Sequence, residues 1–125
     1  MRRAVFFTVI LLALSCKEES KDKLHTGSAS EKRSPVQLGQ ELFENKGNCF
    51  ACHKPDQKII GPSIIEIAKI YKQQNGDIVL FLKGEGKPLV DPSQYEVMKT
   101  NFAITKTMSD EELEALEAYI YSHLK

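Results

Sequence analysis

The run Cys49-Phe50-Ala51-Cys52-His53 constrains this chain more than any other stretch of it. Two thiols three residues apart, followed at once by an imidazole, form the C-x-x-C-H pattern that attaches c-type haem. The spacing has a mechanical reason. Thiols on one turn reach the two vinyl groups along one porphyrin edge, and the next residue, His53, then lies under the iron and offers it a ring nitrogen. Three other uses of the pair compete. A redox C-x-x-C of the thioredoxin kind needs a βαβ setting, which the sequence lacks. A zinc site needs a fourth ligand, and only His25 and His123 remain to supply it. A structural disulfide between Cys49 and Cys52 stays open as a haem-free alternative.

The N-terminus argues for the compartment in which such haem attachment happens. Arg2 and Arg3 precede residues 4–14, which are apolar except for Thr8. A charged start, a short apolar core and then small residues describe a secretory signal peptide. About eleven apolar residues are too few to cross a hydrocarbon core of roughly 30 Å as a helix. The segment closes on Leu12-Ala13-Leu14-Ser15-Cys16, which resembles the lipobox of bacterial lipoproteins. That resemblance implies cleavage before Cys16, diacylglycerol on its thiol and an acylated new amino group, enough chains for stable anchoring. The expected organisation is a signal peptide at residues 1–15, a lipidated Cys16 with a flexible tether to residue 35, and a folded domain over residues 36–125. The tether is almost wholly polar and cannot bury enough apolar surface to offset its ordering entropy. As a flexible coil it would span roughly 20–30 Å, and its His25 reads as a solvated residue. Loss of Arg2 and Arg3 takes 17 basic against 17 acidic side chains to a net charge of about −2.

Balanced charge argues against a partner bound by phosphate neutralisation, so no nucleic acid is expected. The absence of a long apolar run excludes a multi-span membrane protein. A domain of roughly 90 residues buries a modest core and commonly leans on a disulfide, a metal or a cofactor. Its elements read as helices. Val36, Leu38, Leu42 and Phe43 recur at helical spacing before Gly47 stops the run. Ile64, Ile67, Ala68 and Tyr71 mark a second helix, and Asp77 reads as the N-cap of a third over residues 78–83. Gly84, Gly86, Pro88 and Pro92 mark a long loop. Ser109 with Glu112 forms a capping box ahead of Leu113, Leu116, Ile120 and Leu124.

With Gly61-Pro62 following the haem motif, Met98 and Asn101 ahead of the last helix, and Gly39 in the first, residues 36–125 resemble the class I monohaem cytochromes c of bacteria. The resemblance implies an all-α fold of about four to five helices around one covalently bound haem c. It implies that the first and last helices cross, with Tyr119 near Gly39 and Phe43. It implies that the Pro62 carbonyl accepts the imidazole proton of His53, which fixes the tautomer and raises ligand basicity. The second axial ligand is expected to be Met98, presented from a loop, with Asn101 donating to its sulfur. Lys99-Thr100 stand where relatives often carry two prolines. Met108, one residue before the Ser109 cap, is expected to fold against Leu113 instead.

The implied function is one-electron transfer between redox proteins, by a monomer facing the periplasm or cell surface, and not catalysis unless as a subunit of an oxidoreductase complex. Lys46, Lys54 and Lys58 lie near the motif and either steer an acidic partner or merely solubilise. A gas-binding sensor or enzyme subunit with an open axial site is the other haem-bearing alternative.

Overall fold

The computed structural model describes residues 33–124. The expected signal peptide, Cys16 and all but the last residues of the tether lie outside them. Six α-helices and no strand are found among the described residues: α1 (Pro35–Glu44), α2 (Ile64–Gln73), α3 (Ile78–Leu82), α4 (Tyr95–Lys99), α5 (Phe102–Thr105) and α6 (Asp110–Tyr121). None is long and apolar enough to cross a membrane. The number exceeds four or five because the stretch expected to present Met98 as a loop is wound into α4 and α5.

Local chemistry sets most of the helix starts. Ser34 accepts from the Gln37 backbone while the Gln37 side chain reaches back to the Ser34 N–H, a reciprocal capping box, and Pro35 supplies a preset φ at the first turn. The helix therefore begins one residue before the expected domain boundary. Ser63 caps α2 through Glu66 N–H, Asp77 caps α3 through Leu80 N–H, and Ser109 with Glu112 closes the expected box on α6. The last helix ends at Tyr121, so Leu124 lies beyond it yet still packs on the core.

The α1–α6 crossing is the largest contact between elements. Gly39 makes it possible: a Cβ there would sit 1.9 Å from the Ala115 carbonyl oxygen and 2.7 Å from Tyr119 Cβ. Beside it the Phe43 and Tyr119 rings pack at 5.3 Å between centroids, tilted by 56°. The core continues through Leu42, Ile64, Ala68, Leu113, Leu116 and Ile120, all buried, and Met108 is buried with them. Thr105 is fully buried and donates its hydroxyl to the Leu82 carbonyl at 2.6 Å, so its polar atom is satisfied. One side of this core is left open as a cleft.

Candidate functional site

Cys49 opens a single 3₁₀ turn, Cys49–Ala51, entered through Asn48 in the left-handed region at φ 49°. Asn tolerates that conformation better than most residues. The Cys52 and His53 N–H groups both donate to the Cys49 carbonyl, at 3.1 and 2.9 Å. The turn thus sets both half-buried thiols and the His53 ring along one wall of the cleft. Burial pushes the Cys49 thiol up to about 11, which keeps it in the neutral S–H form at pH 7.

His53 is oriented from two directions. Its Nδ1 donates to the Pro62 carbonyl at 2.7 Å. Burial lowers its pKa, with the Pro62 carbonyl opposing, so the ring is the neutral tautomer with Nε2 carrying the lone pair. Gly61 lies flat against the ring, since a Cβ there would sit 2.5 Å from His53 Cε1. Its N–H donates to the Cys52 carbonyl at 2.9 Å, which closes the loop back onto the motif. Nothing in the sequence marked Gly61 as a support for the ring beyond its place before Pro62.

Met98 lines the same cleft from α4 and is half-buried. Met108 does not line it. Asn101 follows Met98 by one turn and also lines the cleft, donating one amide proton to the Gly47 carbonyl at 3.3 Å. The amide has a second proton to offer. All six residues singled out for the site, Cys49, Cys52, His53, Pro62, Met98 and Asn101, therefore meet in one cleft. His123 does not reach it; its Nδ1 interacts with the Tyr119 carbonyl at 3.0 Å, one turn back on its own helix end.

The remaining walls are largely apolar: Phe43, Ile67, Ile78, Leu82, Leu116 and Ile120 from the core, with Tyr71, Phe81 and Tyr95 in an aromatic row at 6.1 and 6.3 Å between centroids. The cleft encloses about 290 Å³. Ile60 and Val97 line it while 57% and 51% exposed, and Phe50, between the lining residues Cys49 and Ala51, is 44% exposed. The neighbouring lysines are mostly neutralised. Lys46 pairs with Glu112 at 2.6 Å, Lys58 with Asp91 at 2.8 Å, and Lys54 lies over the Phe50 ring at 5.8 Å. Of the three lysines read as either steering a partner or solubilising, two thus carry their own counter-ion.

Two thiols, an imidazole with its lone pair free and a thioether converge here in an apolar enclosure. That donor set suits haem iron with His and Met ligands, attached through cysteine sulfur. The family model described as "Cytochrome c" matches residues 36–123 of this chain. Over 40 residues the chain is 42% identical to cytochrome c-551 of Azotobacter vinelandii, a stretch covering 32% of this chain and 48% of that protein. The chain thus spans about half the length of the curated relative it matches.

Proposed function

The chain belongs to the cytochrome c family, and on that premise we propose that it is a one-electron carrier with His53 and Met98 as axial ligands, tethered by lipid at Cys16 outside the cytoplasm. Membership brings one covalently bound haem c, which uses both thiols of the motif and leaves none for a Cys49–Cys52 disulfide. When bound, the haem supplies an iron that gains and loses one electron.

The chain's own residues set the terms of that exchange. Cys49 and Cys52 would hold the group by its edge at the cleft mouth. The Pro62 carbonyl keeps the proton of His53 on Nδ1 and leaves Nε2 as a strong donor. Met98 would supply the second iron ligand, and a thioether in that role raises the reduction potential relative to a second imidazole. Phe43, Ile78, Leu82, Leu116 and Ile120 keep water from the interior. The exposed apolar side chains Phe50, Ile60 and Val97 are the surface against which a redox partner would close. With Lys46 and Lys58 paired, that encounter depends more on apolar contact than on a field of free lysines.

The observation that carries the reading is the placement of a ring with its Nδ1 already engaged in the same cleft as Met98, while Met108 is buried in the core. Export and lipidation are supported by the charged and apolar start and by Ser15-Cys16.

The test is a spectrum and a mass of protein matured in a host with haem-attachment machinery. A mass gain of one haem and a sulfur-to-iron charge-transfer band that Met98→Ala abolishes and Met108→Ala spares are expected. Matured protein with no mass gain would overturn the cofactor. A band surviving Met98→Ala would overturn the ligand. Carbon monoxide binding to the native reduced protein would favour an open-site sensor.

A further inference from the structure

We propose that Asp91 is a positioning residue for Met98: with Lys58 it straps the histidine side of the cleft to the methionine side and keeps the thioether in place. The proposal rests on the His53/Met98 reading above. It starts from how α4 is held. That helix has five residues, no side-chain cap and an exposed outer face at Glu96, Val97 and Lys99. A helix so short does not persist by its own hydrogen bonds. Its contacts with other elements are to the adjoining 3₁₀ turn Pro92–Gln94 and to α5 rather than to the long helices, while Tyr95 makes ring contacts with Phe81 and Phe102 at 6.3 and 6.2 Å and Met98 packs against the core.

Asp91 stands at the head of this segment and lines the cleft. Its side chain is only 18% exposed and acts as a hub. Oδ2 accepts from Lys58 Nζ at 2.8 Å, and Oδ1 accepts from Ser93 Oγ at 2.6 Å. Its backbone carbonyl accepts from Gln94 N–H at 3.1 Å. The turn so fixed runs directly into α4, and Met98 lies one helical turn further on.

Lys58 carries the link to the other wall. It forms an isolated antiparallel bridge with His53, so its backbone is registered against the haem motif itself. The chain of contacts therefore runs from His53 through the Lys58 backbone and side chain to Asp91, then through the Pro92–Gln94 turn to Met98. Asn101, bonded to the Gly47 carbonyl, ties the far end of the same segment. Met98 sits between two ties, and the Lys58–Asp91 pair is the front one.

The experiment titrates ferric, haem-loaded protein with imidazole, which binds only as Met98 detaches. Asp91→Asn and Lys58→Met are each expected to raise imidazole affinity roughly three- to tenfold, the range for a charge-assisted tie that is partly screened. The double variant should do no more than either alone, because both remove one interaction. Arg33→Met, which breaks the pair with Glu41 and touches no residue that lines the cleft, should leave imidazole affinity unchanged. Unchanged affinity in Asp91→Asn and Lys58→Met, with the charge-transfer band still lost in Met98→Ala, overturns the strap and leaves the ligation intact. A band that survives Met98→Ala overturns both.

Discussion

Gly39→Ala separates two effects of opposite sign. In a helix interior the substitution is stabilising by propensity, by up to about 1 kcal/mol. In this helix the new Cβ would stand 1.9 Å from the Ala115 carbonyl oxygen and 2.6 Å from the Ala115 carbonyl carbon, where ordinary contact begins near 3.4 Å. The obstacle is backbone, so no rotamer relieves it, and α1 and α6 must part by about 1.5 Å at that point. A radial gap of 0.5–1 Å already removes a quarter to a half of a dispersion contact. Applied to Leu42, Phe43 and Leu116, each stabilising by about 2 kcal/mol when buried, the loss is about 1.5–3 kcal/mol. Residual overpacking strain adds about 1–3 kcal/mol. The net expectation is destabilisation by about 2–5 kcal/mol, with the gain from propensity subtracted. Urea unfolding of the haem-loaded protein by far-UV circular dichroism reads this as a lower midpoint at unchanged slope. The melting temperature should fall by at least ~8 °C for a domain of this size. Gln40→Ala, one residue along on the exposed face of the same helix, should stay within about 0.5 kcal/mol of the parent. A Gly39→Ala protein as stable as the parent, or more so, would refute the argument that this glycine exists for the crossing.

Met108→Ala should cost about 2–5 kcal/mol in urea unfolding while leaving the haem spectrum unchanged, because Met108 is buried in the core and does not line the cleft. Gly61→Ala should push the His53 ring off the Pro62 carbonyl and weaken a bond whose net value is about 1 ± 0.5 kcal/mol. At 59 mV per 1.4 kcal/mol the potential should rise by roughly 20–60 mV, since a less basic ligand favours the reduced iron; spectroelectrochemical titration reads it. Asp91 and Glu112 are both held below the ordinary carboxylate range, first by hydrogen bonds from Lys58 and Lys46 respectively. Their stabilisation is therefore complete above the unfolded carboxylate values of about 4 and is lost as pH falls through the lower folded values. Urea midpoints measured from neutral to acid pH should fall less steeply in the double variant Asp91→Asn, Glu112→Gln; an unaltered pH slope would argue that neither pair contributes.

What could be read from the sequence was what depends on near neighbours. Asp77 and Ser109 announce helix starts because a cap acts over three residues, and each makes the expected bond; Ser63 caps α2 in the same way. Ser34 makes an equally local capping box with Gln37, but it stands at the end of a polar stretch and so reads as part of the tether. The convergence of Cys49, Cys52, His53, Pro62, Met98 and Asn101 on one cleft was legible through the family pattern rather than through periodicity. Residues 95–99 read as loop because five residues show no usable period and carry no cap; the helix there depends on tertiary support. The ion pairs were invisible for a different reason. Lys46 and Glu112 are 66 residues apart, and Lys58 and Asp91 are 33 apart, so only folding shows that the lysines near the motif arrive with acids beside them.

The two walls of the cleft are built to different standards of rigidity, and this bears on which axial bond gives way first. On the histidine side the turn closes through Cys49 O, the loop closes again through Gly61 N–H to Cys52 O, Pro62 takes the ring proton and the bare face of Gly61 blocks the ring from behind. Moving His53 means breaking several of these at once. On the methionine side a five-residue helix hangs between the Lys58–Asp91 pair and the Asn101–Gly47 bond. Losing either end leaves the segment held by the ring contacts of Tyr95 with Phe81 and Phe102 and by the packing of Met98 itself. Under the proposed ligation, exchange is therefore a methionine-side event, and its ease is set by polar ties that lie outside the ligand set. A one-electron carrier needs both axial positions filled in both oxidation states. In this chain the histidine is held by the covalent motif and its backbone, while the methionine depends on Asp91 and Asn101, whose partners Lys58 and Gly47 lie far from it in the sequence.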